Sequence, residues 1–199
     1  MRTWSNPKCA RAERPLGGVA NQTLFIFEDP SLEKAVGKVL HRMPALQGAP
    51  LRIRSVGGLR DGRGAVHAAS FLRQRTIAFD CTGAEFPRVF AHELFHFAWV
   101  RLGNPGRLSW EVVLRRERRA GARGELGWSA EWRQHALRAG DPGSRSRRWR
   151  DYCCESFCDT GAWLYSGVGR HEEFTLPEKF RSRRRDWFRE AIEPKRLPL

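Results

Sequence analysis

Long apolar runs are missing from this sequence. Nowhere do about 18 residues pass without a charge, the minimum for crossing a bilayer, so no membrane partner is expected. The first residues, MRTWSNPKCARAERPLGG, are basic but have no apolar stretch behind them, which argues against a secretory leader and for a soluble, cytoplasmic protein. Cysteine is sparse and irregular. Cys9, Cys81, Cys153, Cys154 and Cys158 make an odd count with no CxxC pair, so reduced thiols are expected rather than a disulfide framework. Lysine is scarcer than the charge suggests, with only five among 36 basic residues, so the excess of positive charge is carried by arginine. No internal repeat or low-complexity tract occurs.

What is present fits one domain. A chain of 199 residues that is 41% hydrophobic, with eight tryptophans and twelve phenylalanines, can bury a substantial core. The formal charge of +14 suits an acidic partner, and equally a solvated basic surface. No helix-turn-helix, RNP or zinc-finger pattern accompanies it, so nucleic acid is only weakly supported as a partner.

Residues 1–22, with Pro7, Pro15 and Gly17-Gly18, read as an irregular arm. LFIF (24–27) suits a buried strand, and SLEKAVGKVLHRM is an amphipathic helix with Leu32, Val36, Val39, Leu40 and Met43 at spacings of three and four. Pro44 and Pro50 bracket a linker, and LRIRSV (51–56) alternates with period two. AVHAASFL (65–72) and RTIAFD (75–80) form a hairpin around Arg73-Gln74. A helix dense in apolar residues follows to Leu102, where Gly103-Asn104-Pro105-Gly106 should stop it. Residues 107–148 read as a basic helical insertion, since residues 101–150 hold 13 arginines against five acidic residues. Two further helices cover 149–167 and 176–192. The fold class is therefore α+β, a small sheet followed by a helical C-terminal part.

Within RVFAHELFHFAW (88–99), His92, Glu93 and His96 spell H-E-x-x-H. One turn of helix puts both imidazoles on the same side, where they can bind one metal ion, and Glu93 beside them can take a proton from a water. Zinc suits these ligands, and a catalytic zinc has a third protein ligand. Glu155 is the leading candidate because it lies among Tyr152, Phe157, Ala162, Trp163 and Leu164, where an unpaired carboxylate would be costly. Asp159, four residues on, can hold the second ring nitrogen of His92 or His96. Cys154 and Cys158 share a face turned about 100° from Glu155 and Asp159; zinc binding by these thiols is a rival reading, and burial as inert core residues is favoured.

The combined pattern, His92-Glu93-x-x-His96 followed after 58 residues by Glu155-x-x-x-Asp159, resembles the gluzincin metallopeptidases. The resemblance covers about residues 70–165. It implies a minimal, zincin-like single domain in which RTIAFD is the edge strand packed on the H-E-x-x-H helix. His92, His96 and Glu155 would bind Zn2+, Glu93 would be the general base and Asp159 would orient a ligand. Peptides or proteins would be the substrate. Tyr165 and His171 are candidates for stabilising the oxyanion. The alternative is a non-catalytic zinc-binding or DNA-associated regulatory protein using its arginine-rich surface.

Overall fold

The computed structural model of the chain describes residues 21–62 and 64–199. In chain order the elements are β1 (Phe25–Phe27), α1 (Ser31–Leu40), β2 (Leu46–Gln47), β3 (Leu51–Ser55), β4 (Arg60–Asp61), β5 (Gly64–Ala65), β6 (Ala68–Phe71), β7 (Thr76–Phe79), α2 (Phe86–Arg101), α3 (Gly103–Arg119), α4 (Trp128–His135), α5 (Asp141–Ser144), α6 (Arg147–Tyr165), α7 (Glu178–Ala191) and β8 (Leu197–Pro198). The architecture is α+β, with a small mixed sheet and a helical C-terminal part. Nearly all of the expected arm, with Cys9, lies outside the described residues. Its last members include Asn21, which is buried and accepts a hydrogen bond from the Leu46 amide at 2.8 Å.

The main sheet has the order β1-β3-β7-β6. β1 and β3 are parallel, joined by α1 as parallel neighbours require, and β7 runs parallel to β3. The expected hairpin forms, with β6 antiparallel to β7 and Phe71 opposite Thr76. Its two strands occupy other positions than the resemblance implies. RTIAFD is not the edge: β7 lies between β3 and β6 with all four residues buried, and β6 is the outer strand. An inner strand is covered on both faces, so Ile77 and Phe79 on one side and Thr76 and Ala78 on the other are all buried.

Two further corrections concern chain breaks. Gly103 does end α2, adopting a left-handed φ of +74°, but α3 begins there at once, with Pro105 in the first turn, where no amide donor is needed. The linker between Pro44 and Pro50 contains β2, which pairs in parallel with the C-terminal β8. Residues 107–148 supply most of α3 together with α4 and α5.

Packing of α6 on α2 sets up the site. Gly161 allows the close approach, since a Cβ there would lie 2.5 Å from the Phe95 ring. Beside it Phe95, Phe157 and Phe188 interlock, with centroids 5.5 Å apart for the first pair and 5.1 Å for the second. Behind α6 a fully buried ionic network fixes the neighbouring helices. Arg184 of α7 donates to Glu117 of α3 at 2.7 Å and to Glu125 at 3.0 Å, and Glu125 also accepts from the Tyr152 hydroxyl and from Ser156 on α6. At its N-terminus α6 is capped by Ser146, whose Oγ accepts from the Trp149 amide. Among the described residues no helix is long and apolar enough to cross a membrane.

Candidate metal centre

The middle of α2 faces α6 across a narrow gap. His92 Nε2 lies 3.2 Å from His96 Nε2 and 3.3 Å from Glu155 Oε2, and the His96 to Glu155 separation is 3.9 Å. Four-coordinate zinc with bonds of about 2.0–2.2 Å has ligand-to-ligand edges of roughly 3.3–3.6 Å, so the three donors stand close to the corners of such a tetrahedron. The donor set of two imidazoles and one carboxylate therefore fits zinc. Asp159 completes the arrangement from behind, with Oδ1 2.7 Å from His92 Nδ1, while Oδ2 accepts from the Ala130 amide at the start of α4. That contact leaves His92 Nε2 as the nitrogen facing Glu155 and His96.

Charge is concentrated here. Burial alone would lower the pKa of His92, but Asp159 and Glu155 outweigh it and hold the imidazole well above its ordinary value. Burial is likewise overcome at His96, raised to about 9 chiefly by Cys154. For Glu155 burial works upward, and the His92 hydrogen bond with the charges of His96 and Arg133 brings it down to about 2. Such a pocket holds positive charge between its carboxylates, whether as protons or as a cation.

Glu93, from the same helix as the two histidines, turns toward β6 and lines the same cleft. Its carboxylate accepts a 2.6 Å hydrogen bond from Ser70 Oγ on β6, which also lies 2.8 Å from the Glu93 carbonyl. Arg133 of α4 lies 3.0 Å from Glu155 Oε1, leaving Oε2 directed at the histidines. His92, Glu93, His96, Arg133, Glu155 and Asp159 line a cleft of about 470 Å³ that runs between Val66-His67-Ala68, leading into the edge strand β6, and the exposed Trp128. Ser70 and Arg133 were not evident in the sequence, because nothing local marks a serine on a short strand or one arginine among 31 as facing a site.

Two expected residues lie elsewhere. Tyr165 stacks on Phe95 in the core, with its hydroxyl 3.4 Å from Glu193 Oε1, and it does not line the cleft. His171 sits 3.1 Å from Glu85 and accepts from the Glu173 amide, also outside the cleft lining. Tyr152, on the same helix as Glu155, turns to Glu125 instead.

The described cysteines form no disulfide with one another, and two of them contact the site rather than only the core. Cys154 Sγ and Cys158 Sγ approach His96 Nδ1 at 3.6 and 3.5 Å. His96 thus belongs to two donor sets, one with His92 and Glu155 at Nε2 and one with the thiols at Nδ1. Only the first opens to the cleft, and Cys158 is fully buried. With Nε2 directed at the cleft, the thiols take at His96 the place that Asp159 takes at His92. The Cys154 thiol is held down at about 6, first by the Cys158 hydrogen bond and then by His96.

Comparison with protein-family models, characterised proteins and solved structures gives no match, so the functional reading rests on this geometry.

Proposed function

We propose that the chain is a zinc-dependent metallopeptidase of gluzincin type, a minimal zincin in which His92, His96 and Glu155 hold the metal. The observation that carries the reading is the convergence of His92 Nε2, His96 Nε2 and Glu155 Oε2 within 3.9 Å at the floor of an open cleft, beside the carboxylate of Glu93. When bound there, zinc supplies Lewis-acid polarisation of a carbonyl and a water of lowered pKa.

The chain's own residues divide the remaining work. Glu93 accepts the proton of the attacking water and returns it to the leaving amine, and Ser70 holds its carboxylate in place for this exchange. Asp159 fixes the tautomer and orientation of His92. Arg133, paired with Glu155 in the cleft lining, replaces Tyr165 and His171 as the candidate for meeting developing negative charge, while Arg88 is held by Glu85 and Glu173. The free backbone edge of β6 suits an extended peptide, which adds to a sheet edge through main-chain hydrogen bonds.

The test is cleavage of a peptide library by zinc-loaded protein and by Glu93→Gln. The substitution should leave zinc content unchanged while reducing hydrolysis by at least about 100-fold, the scale of general acid–base catalysis. A zinc-loaded parent with no hydrolysis would favour the second reading, a non-catalytic zinc protein, for which the thiols at His96 are the supporting observation.

A further inference from the structure

The charge of residues 111–150 is segregated by burial. Of their five acidic residues, Glu111, Glu117, Glu125 and Asp141 are buried, and Glu131 is partly covered and bonded to Thr175. Eight of the eleven arginines in the same stretch are exposed. The surface formed by the second half of α3 and the turns around α4 and α5 is consequently cationic with almost no exposed carboxylate.

This surface is shaped. Arg115, Arg118 and Arg119, at spacings of three and four, occupy one side of α3 and open into a hollow of about 380 Å³. A second hollow of about 320 Å³ is lined by Arg118, Arg123 and His135. Arg118 belongs to both, so the two are adjacent sockets along one track. Arg118, Arg119 and Arg123 form no salt bridge among the described residues, whereas Arg115 and Arg145 share the single carboxylate of Glu111.

We propose that this track binds the phosphate backbone of a nucleic acid. Arginine is the side chain whose planar fork grips phosphate with paired hydrogen bonds. Consecutive sockets sharing a guanidinium match a polymer of regularly repeated anions. An acidic protein is the poorer fit, since protein interfaces centre on an apolar or aromatic core, and the hollows are walled by glycine, alanine and proline. The proposal does not depend on the metal centre, since the metal cleft shares no lining residue with either hollow.

The experiment is fluorescence anisotropy of a labelled oligonucleotide, single-stranded and as a duplex, at increasing KCl. Binding should be tight at low salt and fall linearly on logarithmic axes, by roughly 0.7 to 0.9 per phosphate neutralised. The triple variant R118Q/R119Q/R123Q should lose at least about 10-fold in affinity and about two to three units of salt slope. R183Q/R189Q/R196Q removes the same charge, from three exposed arginines of the C-terminal part, and should bind within about twofold of the parent. In the unsubstituted protein, bound oligonucleotide should also protect Arg118 and Arg119 from phenylglyoxal, read by mass spectrometry. No binding at low salt, equal losses in both triple variants, or absence of protection would overturn the proposal. Displacement of the oligonucleotide by polyglutamate at equal charge concentration would replace nucleic acid by an acidic protein.

Discussion

Replacing Asp159 by Asn separates the electrostatic role of this residue from its place in the packing. Oδ1 is 2.7 Å from His92 Nδ1 and Oδ2 accepts from the Ala130 amide at 2.9 Å, so one carboxylate orients a ligand and ties α4 to α6. Losing such a partner costs about 10- to 100-fold in metal affinity, or roughly 1.4–2.7 kcal/mol. Asn keeps the shape and one acceptor, so Asp159→Asn should show that loss in zinc affinity with little change in stability of the metal-free protein. Asp159→Ala removes both acceptors and leaves the buried Ala130 N–H unpaired, which adds about 1–3 kcal/mol of destabilisation. Competition for zinc against a chromophoric chelator measures the first effect, and urea unfolding after chelation measures the second. An Asp159→Asn protein that binds zinc within about twofold of the parent would refute the orienting role.

Gly127 packs against the same carboxylate, and a Cβ there would lie 2.3 Å from Asp159 Cγ. Gly127→Ala should therefore lower zinc affinity in the direction of Asp159→Ala without touching a ligand; unchanged affinity in the chelator titration would contradict it. Arg184→Met leaves the buried Glu117 and Glu125 without their cation and should cost about 3–5 kcal/mol in denaturant unfolding, and a cost below about 1 kcal/mol would disprove the importance of the network. At Glu111 burial alone would raise the carboxyl, but hydrogen bonds from Arg145 and Trp149 outweigh it and hold the group below its ordinary value. Because the folded pKa is the lower one, this contribution is complete above the unfolded value of about 4.3 and fades as pH falls through the folded value. Glu111→Gln should thus destabilise the protein at neutral pH and progressively less below about pH 4, as read from thermal melts across that range.

Elements with strong periodicity were legible from sequence. The spacing of Leu32, Val36, Val39 and Leu40 gave α1, and the apolar run around His92 gave α2 with His92 and His96 on one side. Glu155 is legible through the cost of burying a carboxylate among aromatic residues and Asp159 through its place one helical turn further on, and the structure brings both to His92. The paired strands β2 and β8, of two residues each, were not legible because so short a segment has no period and its partner is about 150 residues away. Tyr165 is suggested by its residue type and its location on the Glu155 helix, but ten residues beyond Glu155 the helix has turned it about 80° off that face. For Cys154 and Cys158 the 100° offset from Glu155 was right, but the inference that a different face means a different neighbour was not. His96 reaches one face of α6 with Nε2 and another with Nδ1.

The location of the metal is tested most directly by zinc-edge X-ray absorption on the metal-loaded protein. Coordination by His92, His96 and Glu155 should give a first shell of nitrogen and oxygen only, at about 2.0–2.2 Å, with the imidazole signature of two histidines. Sulfur scatterers at about 2.3 Å would instead put zinc on Cys154 and Cys158 at His96 Nδ1, and would contradict the proposed site.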